Sequence, residues 1–380
     1  MRGCDIVVTE TRLPTPAIAF DVTPLQNSHR YRGIGTYVRG LARRLGSQNE
    51  IPIEFWGWLG EEMFEVSPPH RLVGLPRIPM PQYRGAWLLA QQAMKLRARR
   101  SDVRAVHVTD PEALAALPGR KLLTTVYDLI PLKEGIRRRS LIARAGYNAY
   151  LRALPRADTL FAISDQTASD LVGILRLPAD RILVARPGID LPESRRQVVS
   201  SARPYFLFLG GPNPNKNLAV LLKSMATARD LDEELRIAGR WLPKQLSQLN
   251  EQLRDAGLED RVRHVGFVPS DELAGLMQGA TALVIPSRFE GFGLPVGEGL
   301  AAGAVVIHSR IPVLEETSSG AALIFDVESS EELATCLRRV STDARLRDDL
   351  RQRGLRRSKG LTWDAAAAVT LDAYRATLSR

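Results

Sequence analysis

A strand, a glycine-bearing turn and a helix are predicted in one unbroken stretch, Thr281 to Gly303, which constrains the fold more than any other part of the chain. Thr281 to Ile285 is a short apolar run, as expected of a strand that is buried on both faces. The turn after it carries Gly291 and Gly293, and Pro295 suits the first turn of a helix, where a missing N–H costs nothing. A buried strand followed directly by a helix is typical of a parallel α/β sheet.

This stretch also contains groups that can bind a ligand. Free N–H groups on the turn and at the helix start attract negative charge, and glycines let a ligand approach the backbone. Glu290 lies on the turn, and Glu298, about two helical turns further on, faces the same crevice if the helix register allows. Carboxylates are good acceptors for paired sugar hydroxyls. Phosphate and hydroxyl binding together predict a nucleotide-sugar site; the alternative is an ordinary βα turn with two solvated glutamates.

A second glycine pattern in this stretch is discounted. Gly297, Gly299 and Ala302 fit the spacing of a dinucleotide-binding fingerprint. They fall inside the predicted helix, whereas that fingerprint works only at the turn between a strand and a helix.

The rest of the chain alternates apolar runs of strand length with helical patterns, which predicts two doubly wound parallel sheets. A polar segment at Leu191 to Ser201 is expected to link residues 1–195 to a second domain at 201–358. The runs predicted as strands outside the central stretch are Ala17–Asp21, Ile51–Leu59, Ala105–Val108, Lys121–Val126, Ala157–Ser164, Arg181–Val184, Tyr205–Leu209, Leu235–Gly239, Val262–Phe267 and Ala304–Ile307.

Two further turns could contact an anionic ligand. Gly33 and Gly35 lie between the first predicted strand and a helix. Gly211 and Lys216 lie between the strand at Tyr205–Leu209 and the next helix, where the lysine could hold a diphosphate. The alternative for a lone lysine is a solvated side chain.

Composition limits the other possibilities. With 380 residues, two or more domains are expected, and no apolar run approaches the ~18 residues of a membrane span. The N-terminus lacks the long apolar core of a signal peptide. Two distant cysteines, Cys4 and Cys336, favour a reducing cytoplasm and argue against a disulfide framework or a zinc site.

The positive charge is confined to one half of the chain. Residues 1–200 hold 29 Lys and Arg against 19 Asp and Glu, whereas the remaining residues hold 23 of each. Clusters occur at Lys95–Arg100 and Arg137–Arg139. Such clusters attract anionic lipid, nucleic acid or acidic substrates; the alternative is a solvated, arginine-rich surface. No nucleic-acid-binding motif accompanies them.

The segment PSRFEGFGLPVGEGLAAG resembles the donor-site signature of the retaining glycosyltransferases of family 4, which have the GT-B fold. Glu290 and Glu298 match its two glutamates, which have seven residues between them. The resemblance implies that Glu290 contacts the transferred sugar and that Glu298 binds the ribose. It also implies that the backbone at Gly291, Phe292, Gly293 and Leu294 holds sugar and phosphate.

The resemblance extends over most of the chain, from about Ala17 to Tyr374. It implies that the loop with Gly33 and Gly35 closes on the donor diphosphate and the acceptor, and that the final helix, in 359–380, crosses back onto the first domain. Tyr127-Asp128-Leu129-Ile130-Pro131 resembles a family segment on the acceptor side of the cleft that has histidine in place of Tyr127.

The turn at Gly211 resembles a family motif that ends in Arg-Lys-Asn. Lys216 matches the lysine, whereas Asn215 replaces the arginine, so that Arg288 is a candidate to compensate. The turn at Val268 corresponds to a family segment that contacts the nucleotide base.

The expected activity is therefore retaining transfer of a hexose, mannose or similar, from a nucleotide sugar such as GDP-mannose or a UDP-sugar. The acceptor would be a glycan or a lipid-linked molecule of surface polysaccharide or glycolipid synthesis. No obligatory metal is expected, because no Asp-x-Asp lies on a suitable loop. We expect a cytoplasmic protein with a peripheral contact to the inner membrane face. The alternatives are a sugar phosphorylase or nucleotide-sugar epimerase on the same fold, and a non-catalytic membrane or nucleic-acid module.

Overall fold

The chain forms two parallel α/β sheets that face one another across a cleft, as the sequence predicts. The computed structural model describes residues 18–30, 33–58, 70–75, 86–115, 117, 119–133, 141–190 and 203–379. The first sheet has strand order β3-β2-β1-β4-β5-β6-β7 and the second has β10-β9-β8-β11-β12-β13. The strands of the first are Ile18–Asp21, Ile53–Trp58, Arg71–Leu75, Ala105–Val108, Lys121–Val126, Thr159–Ala162 and Ile182–Val184, numbered β1 to β7. Those of the second are Tyr205–Leu209, Glu234–Ala238, Val262–Gly266, Ala282–Ile285, Val306–Ser309 and Leu323–Phe325, numbered β8 to β13.

Helices cover both faces of each sheet. In the first half of the chain they are α1 (Gly33–Gly46), α2 (Ala86–Arg99), α3 (Ile130–Lys133), α4 (Leu141–Ala153) and α5 (Asp165–Gly173). In the second half they are α6 (Leu218–Thr227), α7 (Pro243–Ala256), α8 (Ser270–Gly279), α9 (Leu294–Ala302), α10 (Pro312–Ser318), α11 (Ser330–Thr342), α12 (Ala344–Ser358) and α13 (Trp363–Leu378).

The central strands are buried on both faces, which explains why most of their residues are apolar. Every residue of β1, β2, β4, β11 and β12 is buried. The side chains of alternate residues enter separate apolar clusters on the two faces of each sheet; Phe20 and Trp56, for example, lie on opposite faces of the first. Because all strand pairs are parallel, their carboxyl ends meet at one edge of each sheet, where ligands of such folds bind.

The last helix, α13, packs against α1 of the first domain. A Cβ on Gly40 would lie 2.1 Å from Cε2 of Trp363, so that only glycine leaves room for this indole. The hydroxyl of Tyr374 lies 2.8 Å from Nδ1 of the fully buried His107. Burial lowers the pKa of His107 to about 3, and the side chain is therefore a neutral part of the core.

Several elements differ from expectation. Pro312 to Gly320 resembles a loop of the family, but Pro312–Ser318 forms α10, in which Pro312 takes a first-turn position where a missing N–H costs nothing. The polar linker at 191–201 and the arginines at 137–139 lie outside the described residues. Within the described residues, no helix is both long and apolar enough to cross a bilayer.

Candidate functional site

A cavity of about 970 Å³ lies between the two domains at the carboxyl edges of both sheets. This volume is ample for a small ligand such as a nucleotide sugar. The predicted site residues that line it are Gly33, Tyr127, Asp128, Lys216, Glu290, Gly291, Phe292, Gly293, Leu294 and Glu298. Five others are not among its described lining residues: Gly35, Gly211, Asn215, Val268 and Arg288.

Glu290 is held by two donors on neighbouring loops. Its Oε1 atom lies 2.6 Å from Nζ of Lys216 and accepts a hydrogen bond of 2.7 Å from Oγ of Ser287. Charge-assisted contacts of this length are stronger than neutral ones, and they fix the carboxylate in the cavity wall. Lys216 and Glu290, 74 residues apart in sequence, are thus brought together by the parallel strands β8 and β11.

The glycines of the turn between β11 and α9 are required by its surroundings. Gly293 precedes α9 with φ of 86°, a left-handed conformation that favours glycine. A Cβ on Gly291 would lie 2.6 Å from the carbonyl oxygen of Tyr127 in the other domain. The turn therefore lies against the first domain, and the N-terminus of α9, where Leu294 and Pro295 line the cavity, favours an anion through the positive end of the helix dipole.

Glu298 faces the cavity, one turn beyond the start of α9. Burial raises the pKa of its carboxyl group. The two glycines that flank it serve packing: a Cβ on Gly297 would lie 2.7 Å from Cδ1 of Ile189, and one on Gly299 would lie 2.6 Å from Cδ2 of Leu283. Each helical glycine costs about 1 kcal/mol relative to alanine. Their close contacts give both glycines a packing role. Because they lie inside the helix and not at its first turn, they do not form a dinucleotide-binding fingerprint.

Asn215 and Arg288 build the loop that carries Glu290. The Asn215 side-chain amide donates to the carbonyl of Phe289 at 2.8 Å, and the Arg288 N–H donates to the carbonyl of Asn215 at 2.9 Å. The Arg288 guanidinium contacts Asn217 and forms an ion pair with Glu328. In this arrangement the guanidinium is directed to those two side chains, and Lys216 is the cation in the cavity wall.

Gly33 and Gly35 were expected in a loop before the helix but lie in the first turn of α1, where Gly33 lines the cavity from the first domain. A Cβ on Gly33 would lie 3.4 Å from Cδ1 of Leu294, at the start of α9. Gly35 donates its N–H to the carbonyl of His29 at 3.1 Å, and a Cβ there would lie 2.4 Å from that oxygen. The two glycines therefore allow α1 to begin directly against the loop that precedes it and beside α9.

The first-domain side of the cavity contains a group of tyrosines that sequence reasoning largely missed. Tyr147 and Tyr150 of α4 line the cavity with ring centroids 5.8 Å apart. The ring of Tyr127 packs edge-on against Tyr37 at 5.7 Å. The spacing of Ile142, Tyr147 and Tyr150 on one face of a helix was a signal that could have indicated this wall.

A further contact between the domains was also missed. Glu316 of α10 accepts hydrogen bonds from the N–H of Asp165, at 2.9 Å, and from Nε of Arg186, at 2.8 Å. A carboxylate at the N-terminus of α5 is favoured by the helix dipole. Ser164 Oγ donates to the carbonyl of Gly291 at 2.8 Å. These contacts hold α10 and the turn before α9 against the first domain.

The remaining candidates lie at the same edge of the second sheet. Gly211 follows β8 and Val268 follows β10, where Val268 packs partly buried against the apolar cluster of that domain. Among the described residues, no three His, Cys, Asp or Glu side chains are placed to hold a metal ion. Cys336 is buried with a free thiol.

Comparison with known proteins identifies the family. Residues 191–357 match the model "Glycosyl transferases group 1", and residues 31–193 match "Glycosyltransferase Family 4". Together the two models span both domains and the cavity between them. The chain belongs to the family 4, group 1 glycosyltransferases.

Two curated relatives illustrate the range of named activities. A "D-inositol 3-phosphate glycosyltransferase" of Arthrobacter sp. (strain FB24) is 30% identical over 245 residues, covering 60% of this chain and 58% of the relative. An "O-antigen chain mannosyltransferase B" of Escherichia coli is 26% identical over 238 residues, covering 59% and 62%. The matched region thus spans about three-fifths of each relative's length.

Solved structures confirm the GT-B fold. A sucrose-phosphate synthase from Thermosynechococcus elongatus superposes with a TM-score of 0.76 at 20% identity, covering 96% of this chain and 99% of that one. HepE from Anabaena, solved with UDP and glucose, gives a TM-score of 0.68 at 14% identity, covering 95% and 100%. At these identities the likeness establishes the fold alone.

Proposed function

We propose that this protein is a retaining glycosyltransferase that moves a hexose from a nucleoside-diphosphate sugar to a glycan or lipid-linked acceptor. The observation that carries the proposal is the pairing of Glu290 with Lys216 beside the open N-terminus of α9, within the cavity between the domains. This arrangement offers an acceptor for sugar hydroxyls next to two sources of positive potential for a diphosphate. Family membership supports it.

In this mechanism the donor diphosphate lies at the start of α9 and takes the ammonium of Lys216 from Glu290. The bond between the anomeric carbon and the diphosphate oxygen breaks, and the acceptor oxygen forms a new bond on the same face of the sugar. The acceptor proton passes to the leaving phosphate oxygen. Lys216 and the helix terminus stabilise the charge that develops on the diphosphate, an effect that often dominates catalysis of this kind. Glu298 binds the ribose hydroxyls and Glu290 those of the sugar.

The donor and the reaction class can be tested directly with the purified chain. A thermal-shift panel of GDP- and UDP-sugars, with GDP and UDP as controls, should single out one nucleotide series. Ligand at a hundred times its Kd stabilises a protein by about 2.7 kcal/mol, which is a measurable shift in Tm. No shift with any of these nucleotides would contradict the proposal. Turnover of the selected donor without an acceptor would instead favour an epimerase or, with phosphate present, a phosphorylase.

We also propose that the first domain contacts an anionic membrane through the start of α4. Leu141 and Ile142 are 77% and 45% exposed there, directly after the segment that contains Arg137–Arg139. Exposed apolar side chains beside basic ones are typical of peripheral membrane contacts, and each Lys or Arg near the surface contributes about 1 kcal/mol. The excess of ten positive charges lies in residues 1–200.

Sedimentation with anionic and neutral vesicles tests this contact. We expect binding to anionic vesicles at low salt, with loss at high salt, because salt screens charges over about 10 Å or less. Changing Arg137, Arg138 and Arg139 together to Glu should abolish it and leave donor binding intact. The matched control changes three other arginines together to Glu: Arg345, Arg353 and Arg356, which are exposed on α12 of the second domain. Equally weak binding to both vesicles at low salt, or equal loss in the control, would rule the contact out.

A further inference from the structure

We propose that Asn27 and Asp110 are positioning residues, which hold one wall of the cavity in place for the sugar donor; this inference rests on the proposed function. This wall, which we call the α1 wall, consists of a loop residue and the start of α1. Its cavity-lining members are His29, Gly33, Ile34, Thr36 and Tyr37. Asn27 and Asp110 are not among the described residues that line the cavity, so their effect on the reaction passes through the α1 wall.

The loop before α1 is anchored at the carboxyl ends of the two strands that flank β1. Gln26 exchanges two hydrogen bonds with the backbone of Trp58 at the end of β2, with N–O distances of 2.6 and 3.2 Å. The next residue, Asn27, donates from its side-chain amide to Oδ2 of Asp110, just beyond β4, at 2.8 Å. Because β2 and β4 lie on opposite sides of β1, the two anchors fix the loop across the edge of the sheet.

Asn27 links the buried carboxyl group of Asp110 to the start of α1. While its amide donates to Asp110, its Oδ1 accepts the backbone N–H of His29 at 2.8 Å. The carbonyl of His29 in turn accepts the N–H of Gly35, in the first turn of α1, at 3.1 Å. A displacement of the Asn27 side chain would therefore move both parts of the α1 wall.

Asp110 is itself held firmly in place. Its side chain is buried, its Oδ1 accepts the N–H of Glu112 at 2.9 Å, and its own N–H donates to Oδ2 of Asp21 at 2.8 Å. Asp21 is fully buried and also accepts the N–H of Thr23 at 2.9 Å. Burial, together with the charges of Asp21 and Glu112, raises the pKa of Asp110 to about 8. Neighbouring buried carboxyl groups are costly for a fold, and groups perturbed in this way concentrate at functional sites.

The α1 wall lies against the start of α9, which is where the proposed reaction places the donor diphosphate. A Cβ on Gly33 would lie 3.4 Å from Cδ1 of Leu294, the first residue of α9. A misplacement of about 1 Å in a group that orients a substrate can cost about 10²-fold in rate. Loosening the α1 wall should therefore weaken donor binding and slow transfer, even though Asn27 touches neither substrate.

A polarity swap tests whether the hydrogen bond between Asn27 and Asp110 has this role. Asn27→Leu keeps the size of the side chain and removes both of its hydrogen bonds. With the full chain, at a temperature below the Tm of every variant, we expect a donor KM at least fivefold higher and a kcat/KM at least tenfold lower. The double variant Asn27→Asp with Asp110→Asn exchanges donor and acceptor across the bond, and its kcat/KM should stay within threefold of the parent value.

The matched control is Asn250→Leu, the same change at an exposed position on α7, which should have the kinetics of the parent. If Asn27→Leu does not fold, Asn27→Ser, whose side chain is too short to reach Asp110, replaces it with the same expected kinetics. A folded Asn27 variant with the donor KM and kcat/KM of the parent would overturn the inference, because a bond that serves stability alone changes only Tm. A polarity swap as impaired as Asn27→Leu would also overturn it, while leaving the transferase function intact. Failure of the parent protein to transfer sugar would overturn the proposed function and the inference together.

Discussion

Replacing Glu290 with glutamine is expected to abolish sugar transfer, a loss of at least about 10³-fold in kcat/KM, while the protein remains folded. The carboxylate is the charged acceptor in the cavity wall, bonded to Lys216 and Ser287 through a single oxygen. An amide keeps the size and one acceptor oxygen but loses the negative charge that binds sugar hydroxyls strongly and pairs with the lysine. Initial rates with saturating donor and acceptor measure the loss of transfer, and Tm shows separately whether the variant remains folded.

The matched control is Glu328→Gln. Glu328 pairs with Arg288 on the outer side of the same loop, and its side chain is 65% exposed. The control loses an exposed ion pair, worth at most about 1 kcal/mol, and should retain activity. Near-normal turnover by a well-folded Glu290→Gln protein would remove this residue from the mechanism.

Lys216→Ala is expected to raise the donor KM and to slow turnover, with a loss of about 10²-fold in kcat/KM. Among the described cavity-lining residues, Lys216 is the one lysine or arginine. Asn215 stands where the family motif has an arginine, and the Arg288 guanidinium is directed to Glu328. Removing the ammonium leaves the helix terminus to stabilise the diphosphate. Steady-state kinetics at varied donor concentration measure both parameters.

Lys223→Ala provides the control, since Lys223 is an exposed lysine on the adjacent helix α6. Kinetics of Lys216→Ala equal to those of this control would assign charge stabilisation to another group. We further expect EDTA to leave the parent activity largely intact, because protein cations and a helix terminus neutralise the diphosphate in this mechanism. Complete loss of activity with EDTA, restored by magnesium or manganese, would contradict that part of it.

The sequence predicted the two parallel sheets because the signals for them are local. A strand buried on both faces is expected to be largely apolar, and Tyr205–Leu209 and Ala282–Ile285 have that character. The turn with Gly291 and Gly293 was equally readable, since left-handed backbone and close approach both demand glycine. Shorter elements with weaker patterns, such as β13, were not predicted.

Within the site, the sequence by itself determined the turn between β11 and α9, with Glu290 on the turn and Glu298 on the helix, because strand, turn and helix are contiguous in the chain. Only the tertiary structure decided which partners they meet. Lys216 approaches Glu290 because β8 and β11 are neighbours in the sheet. Arg288 pairs with Glu328 because the segment directly before α11 lies beside the turn that carries Arg288. Likewise, the α4 wall and Glu316 reach the cleft through packing between domains. Local patterns fix the backbone of each segment, whereas charge pairing and burial depend on segments distant in sequence, whose positions no local pattern specifies.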